Sequence, residues 1–151
     1  MSAFLTPLDV QLVNDASADG RGTWKLLQSC LYQSDVAGST IVVPAGFKTD
    51  FASVPRLPVV FLAFGGRASR ASVVHDWLYS TYLLSKELSD KVFLEAMLIT
   101  GVPIEIAHEM YTGVYTFGLP HWVAPNSPQI AVITATIQAI KEEAVLPPLT
   151  N

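Results

Sequence analysis

Charged residues are scarce in this sequence, and basic residues are the minority among them. Of the 151 residues, 15% are charged and 50% are hydrophobic, with 9 Lys and Arg against 13 Asp and Glu and a net charge of −4. Domains that bind nucleic acid usually present a basic surface. The composition therefore argues against a nucleic-acid partner, and it is compatible with apolar surface that another protein covers.

Several common types of site also have no counterpart in the sequence. Cys30 is the single cysteine, so the fold has to be stable without an internal disulfide. The sequence contains no Cys-x-x-Cys pair, no glycine-rich phosphate loop, no Gly-x-Ser-x-Gly segment and no two histidines at the spacing of a zinc-binding helix. These absences disfavour redox, nucleotide-binding, serine-hydrolase and zinc-protease functions.

Long hydrophobic runs are missing too. The longest uncharged segment, residues 110–140, is interrupted by Pro120, Pro125 and Pro128, and the apolar stretch that remains, 130–140, is shorter than the ~20 residues that cross a bilayer. The N-terminal residues lack the basic leader and apolar core of a secretory signal. We expect neither a transmembrane helix nor a signal peptide.

The first third of the sequence predicts strands. Residues 10–13, 23–33 and 40–44 are rich in β-forming residues, and turn-forming residues separate them. Three antiparallel strands in a meander are the simplest arrangement. Residues 45–60 are polar and contain prolines, so we expect a structured loop there.

The remainder predicts helices. Residues 69–83 and 86–99 form two helices with a short turn between them, and Ser85 is placed to cap the second. A third helix opens at Pro103, and a fourth runs from Pro128 to about residue 143. Strands followed by helices predict an α+β fold in one domain, residues 1–151, with a strand- and loop-rich part (1–60), a helical part (69–143) and a tail (145–151).

The two central helices carry the polar residues of greatest interest. His75 and Tyr79 share one helix face, and an antiparallel hairpin puts Tyr79 opposite Asp90, with His75 about 6 Å farther along the axis. A carboxylate that contacts an imidazole fixes its tautomer, and Asp76, turned to the side, could bind a hard cation. Helical periodicity alone favours the other interpretation, in which these polar residues only stabilise the core.

The order His-Asp-x-x-Tyr at 75–79, followed by Asp-x-x-Phe at 90–93, resembles the calcium-dependent secretory phospholipases, and most of all their disulfide-free viral relatives. The resemblance implies an ester hydrolase, with membrane lipid as its substrate. His75 would activate water, Asp90 would orient His75, and Tyr79 would support Asp90. Asp76 would bind calcium.

In those enzymes a glycine-rich loop before the helix supplies the other calcium ligands. The candidates here are the backbone groups near Gly65 and Gly66, in the segment "FGGR".

A second resemblance covers more of the chain. The segments "VPAGFKTDFASVPR", "ASVVHDWLY" and "SDKVFLEAM", within residues 43–97, are similar to a phage and prophage family catalogued as domain of unknown function 1353. It implies a bacteriophage protein, in the virion (for example its tail) or in the host cytoplasm, and it implies no particular activity. Asp50, Ser53 and Arg56 belong to this pattern, and they either form a polar pocket beside His75 or satisfy their own loop.

The C-terminal segment has an isoleucine stripe with steps of three, four and three residues, formed by Ile130, Ile133, Ile137 and Ile140. Such a stripe either packs on its own domain or mediates self-association or contact with other phage proteins. Two functions therefore remain open: a phage ester or lipid hydrolase, and a non-enzymatic virion or tail-assembly component.

Overall fold

The protein has an α+β fold, as the sequence predicted. The structure, a computed structural model, describes residues 1–15, 22–51 and 58–122. For residues 58–65 and 121 it describes the backbone alone. The strands are β1 (Ala3–Phe4), β2 (Val10–Asn14), β3 (Thr23–Leu26), β4 (Cys30–Ser34), β5 (Ser39–Val43) and β6 (Lys48–Thr49). The helices are α1 (Pro58–Thr81), α2 (Lys86–Ile99) and α3 (Ile104–Phe117), with a short 3₁₀ turn at Leu119–His121.

The strands form two antiparallel sheets, and the predicted single meander is wrong. One sheet has the order β1-β4-β5 and the other β2-β3-β6. The run 23–33 divides at residues 27–29, where the chain turns from one sheet into the other. Leu26 and Cys30, on either side of this corner, are both buried.

The second and third helices lie close to their predicted positions. Helix α2 has the predicted bounds, and the Ser85 side chain caps it by accepting a hydrogen bond from the Leu88 backbone N–H at 3.2 Å. Helix α3 begins directly after Pro103. The predicted fourth helix and the tail lie outside the described residues.

The first helix is longer at its start than predicted. It begins at Pro58 instead of Ser69, so part of the expected loop at 45–60 and the whole "FGGR" segment are helical. Gly65 and Gly66 each disfavour a helix by about 1 kcal/mol relative to alanine, which hid its first turns in the sequence. The helix ends at Thr81, because Tyr82 adopts a left-handed backbone conformation with a φ of 54°.

Helix α1 lies at the centre of the fold. It contacts α2 on one side and β5 on another. From Ala71 to Tyr79 every side chain is buried except that of Asp76, which is half-buried. This explains the apolar character of the segment around His75. None of the helices in the described part of the chain has the length and hydrophobicity that a membrane span requires.

A carboxylate on α2 joins this helix to the β4–β5 hairpin. The Glu95 oxygens accept hydrogen bonds of 2.7–3.1 Å from the side chains of Ser2, Tyr32 and Ser34 and from the backbone N–H groups of Asp35 and Val36. Burial raises the pKa of Glu95, but hydrogen bonds, chiefly from Ser2, Ser34 and Tyr32, outweigh it, so this pKa lies below its ordinary value.

Replacement of Glu95 by glutamine tests this connection. Because its pKa is lower in the folded state than in the unfolded state, ionised Glu95 stabilises the fold above the unfolded pKa of about 4.3, and this stabilisation is lost as the pH falls through the folded pKa. We expect Glu95→Gln to lower the free energy of unfolding at pH 7 by about 1–3 kcal/mol and to flatten its decline in acid, as measured by urea denaturation from pH 7 to 3. The control is Glu87→Gln, which removes an exposed ion pair with Lys91 on the same helix. If both variants have the same stability, Glu95 does not hold the helix to the hairpin.

Candidate functional site

The centre of the site is a contact between α1 and α2. His75 Nε2 lies 2.8 Å from Asp90 Oδ1, and the two side chains are 2% and 0% exposed. The antiparallel packing of these helices brings the two residues together, although their spacing from the turn left His75 about one helical turn away. The imidazole side chain spans this offset.

Tyr79 contacts the same carboxylate oxygen. Its hydroxyl donates to Asp90 Oδ1 at 2.6 Å. The Tyr79 ring lies 4.1 Å from the His75 ring, centroid to centroid, and Phe93 stacks on His75 at 4.7 Å. Asp90 and Phe93 project together from α2 because they are three residues apart. The imidazole therefore contacts one aromatic ring from each helix, Tyr79 on α1 and Phe93 on α2.

The second oxygen of Asp90 contacts a residue that the sequence analysis did not identify. Lys86 Nζ lies 2.8 Å from Asp90 Oδ2. Lys86 is four residues before Asp90 on α2, a spacing at which opposite charges meet on one helix face. That spacing is visible in the sequence and could have identified Lys86.

These contacts determine the charge state of Asp90. Burial raises the pKa of Asp90. Hydrogen bonds from His75, Lys86 and Tyr79 lower it by more than burial raises it, so this pKa lies below its ordinary value. Burial and the adjacent carboxylate raise the pKa of Tyr79, which keeps its hydroxyl protonated as a donor. An ionised carboxylate can only accept hydrogen bonds, so the contact with Asp90 favours the neutral tautomer of His75 that has its hydrogen on Nε2 and its lone pair on Nδ1.

Asp76 points to a different part of the fold. Its Oδ2 accepts a hydrogen bond of 2.5 Å from the hydroxyl of Thr49 on β6. The same hydroxyl accepts a bond from the Phe51 backbone N–H at 3.0 Å, and Phe51 has a left-handed φ of 54°. Asp76 thus connects α1 to the start of the segment that follows β6.

The glycine segment that the phospholipase resemblance implied as a source of calcium ligands is helical, and it is not the loop that the resemblance implied. Gly65 and Gly66 lie within α1, where carbonyl oxygens point along the helix axis, instead of in a loop. Within residues 1–15, 22–51 and 58–122, no three His, Cys, Asp or Glu side chains cluster as metal ligands. Of the predicted pocket residues, Asp50 is exposed beside Thr49, while Ser53 and Arg56 lie outside the described residues.

Comparison with protein families agrees with the longer of the two resemblances. Residues 24–114 match the model of the family "Protein of unknown function (DUF1353)". This chain belongs to the DUF1353 family. The matched residues include His75, Tyr79, Lys86 and Asp90, together with strands β4, β5 and β6 and three of the four residues of β3.

Two uncharacterised proteins of Sinorhizobium fredii are similar to this DUF1353 protein. Protein y4iH is 31% identical over 105 residues, which cover 68% of this chain and 44% of the relative. Protein y4jT is 32% identical over 107 residues, which cover 70% of this chain and 31% of the relative. The match thus spans less than half the length of either relative. No solved structure matches the chain significantly.

A glycine close to Tyr79 gives a sharp test of the site's packing in this DUF1353 protein. A Cβ atom on Gly118 would lie 2.6 Å from the Tyr79 hydroxyl and would also overlap the Val114 carbonyl oxygen. We expect Gly118→Ala to displace the hydroxyl from Asp90 and to lower the free energy of unfolding by about 1–3 kcal/mol, as measured by urea denaturation.

The matched control is Gly113→Ala, within α3, the helix that ends directly before Gly118. A Cβ there meets nothing within 4 Å, so the substitution should stabilise the protein by up to about 1 kcal/mol. Two variants of equal stability would contradict the close approach of Gly118 and Tyr79.

Proposed function

We propose that this protein is an ester hydrolase in which His75 is the general base, with phospholipid as the substrate class. The observation that carries the proposal is the bond between His75 Nε2 and Asp90 Oδ1. A carboxylate at this position orients the imidazole, selects the tautomer with its lone pair on Nδ1 and stabilises the imidazolium that forms when Nδ1 takes a proton.

The reaction needs one water molecule and no covalent intermediate on the protein. His75 Nδ1 takes a proton from water as the water oxygen bonds to the ester carbonyl carbon. The tetrahedral intermediate then collapses, the bond to the alcohol oxygen breaks, and the imidazolium returns its proton to that oxygen. Asp90 stays ionised throughout, held by Tyr79 and Lys86.

The choice of lipid follows from the surroundings of His75 and from the resemblance. The ring lies between the aromatic side chains of Tyr79 and Phe93, so a substrate that reaches it passes apolar groups, as an acyl chain can do. The order of residues on the two helices resembles that of secretory phospholipases. A phage source, which the family pattern implied, would suit a lipid hydrolase that acts on host membranes.

Phospholipid hydrolysis by purified variants tests the proposal. We expect wild type to release fatty acid from phosphatidylglycerol vesicles, and His75→Ala to lose roughly 10²–10⁴-fold in rate, because that is the usual contribution of a general base. Asp90→Asn should also lose activity, since an amide can favour the wrong tautomer. Fatty-acid release is followed with calcium and with a chelator, which decides separately whether a divalent cation takes part.

The control for this assay is His108→Ala, which removes an exposed histidine from α3. Circular dichroism establishes that each variant is folded. The proposal is wrong if folded wild type releases no fatty acid, or if His75→Ala and His108→Ala are equally active.

A second candidate function is a non-enzymatic component of a phage virion, for example of its tail. The observation that favours it is the near-complete burial of the His75–Asp90 pair, which is also expected of a polar contact that only holds two helices in register. In this case the isoleucine stripe of the C-terminal segment, outside the described residues, would mediate self-association or contact with other phage proteins.

Sedimentation velocity tests the self-association. If the stripe is an assembly contact, Ile137→Asp should shift an oligomer toward monomer, because a buried carboxylate disfavours the interface. Gln138→Asp adds the same charge at the next residue, on a different face of the predicted helix. It should leave the assembly unchanged. A monomeric wild type would exclude self-association through the stripe.

A further inference from the structure

Lys86 connects three parts of the structure. Its ammonium group donates to Asp90 Oδ2 at 2.8 Å and to the carbonyl oxygens of Val114 and Tyr115, both at 3.1 Å. It also lies 5.7 Å from the centre of the Tyr79 ring and 5.5 Å from that of Tyr115. One side chain at the start of α2 therefore contacts the site carboxylate and the end of α3.

The first turn of α2 is an unfavourable place for the positive charge of Lys86. Lys86 is the first residue of α2, and a cation in the first turn is unfavourable with respect to the helix dipole. The last turn of α3 is the opposite case, because its carbonyl groups carry partial negative charge and attract a cation. Lys86 is thus held by groups outside its own first turn, and its side chain is only 20% exposed.

The contacts of Asp90 show what Lys86 adds to the site. Oδ1 accepts from His75 and Tyr79, and Oδ2 accepts from Lys86, so donors hold both oxygens and fix the rotation of the carboxylate. Asp90 is 0% exposed, so water cannot replace a lost donor without a change in structure. Without Lys86 the buried carboxylate would lose its nearest cation and could rotate.

We propose that Lys86 is a positioning residue for the His75–Asp90 pair: its ammonium group fixes the ionised carboxylate with Oδ1 toward His75 Nε2, and so maintains the proton on Nε2. The inference deepens the proposed function, in which His75 is the base, but it concerns the tautomer of His75 and can be tested without any substrate.

The test measures the imidazole ring nitrogens by ¹⁵N–¹H NMR at constant neutral pH. The chain has three histidines, and the signals of His75 are those that disappear in His75→Ala. We expect wild type to show the Nε2–H tautomer, and Lys86→Met to move both ring nitrogen signals away from that pattern. Lys86→Arg, which keeps a cation and its donors, should restore it.

The matched control is Lys91→Met, which removes a lysine of the same helix that pairs at the surface with Glu87. It should retain the wild-type His75 signals. A merely stabilising role would make Lys86→Met and Lys91→Met differ in unfolding but not in these signals.

Each outcome decides the inference. Unchanged His75 signals in folded Lys86→Met, equal changes in Lys91→Met, or no restoration by Lys86→Arg would overturn it. If circular dichroism shows that Lys86→Met is unfolded, Lys86→Gln, which retains an N–H donor, takes its place; if neither folds, Lys86 supports the fold as a whole and the positioning role is rejected. Displaced signals in Lys86→Met together with a wild type that hydrolyses no lipid would support this inference and refute the proposed hydrolase.

Discussion

The buried carboxylate of Asp90 is the interaction on which the helical part of this protein depends. A negative charge with no exposure to water is costly unless charged or hydrogen-bonding partners surround it. Here the partners come from two helices, His75 and Tyr79 on α1 and Lys86 on α2, and Lys86 in turn contacts the end of α3. Satisfying one carboxylate therefore restricts how all three helices pack.

A second carboxylate on the same helix, that of Glu95, connects α2 to the sheet. Asp90 and Glu95 are five residues apart, so they project from different sides of α2. Glu95 accepts hydrogen bonds from the β4–β5 hairpin, whereas Asp90 faces α1. The difference is chemical as well as spatial: the partners of Glu95 are neutral hydroxyl and amide groups, while Asp90 contacts a lysine and a histidine.

Elements with strong local signals were predictable from the sequence. The bounds of α2 follow from the Ser85 cap and the apolar period, and the position of Tyr79 opposite Asp90 on the facing helix follows from spacing. The start of α1 could not be predicted, because Gly65 and Gly66 reduce helix propensity while packing in the folded protein compensates for them. The run 23–33 looked like one strand because its residues favour β structure throughout, and its division depends on which sheet each half joins.

The sequence by itself determined the α+β class, the extent of α2 and which polar residues share a helix face, because these depend on periodicity and on neighbours within a few positions. Tertiary structure decided the rest. It set the axial position of α1 against α2, which brings His75 to Asp90, and it placed the end of α3 against Lys86 and the backbone of Gly118 against Tyr79. It also turned Asp76 toward Thr49. These contacts join residues up to 39 positions apart, and their geometry depends on how whole elements pack, which no local pattern encodes.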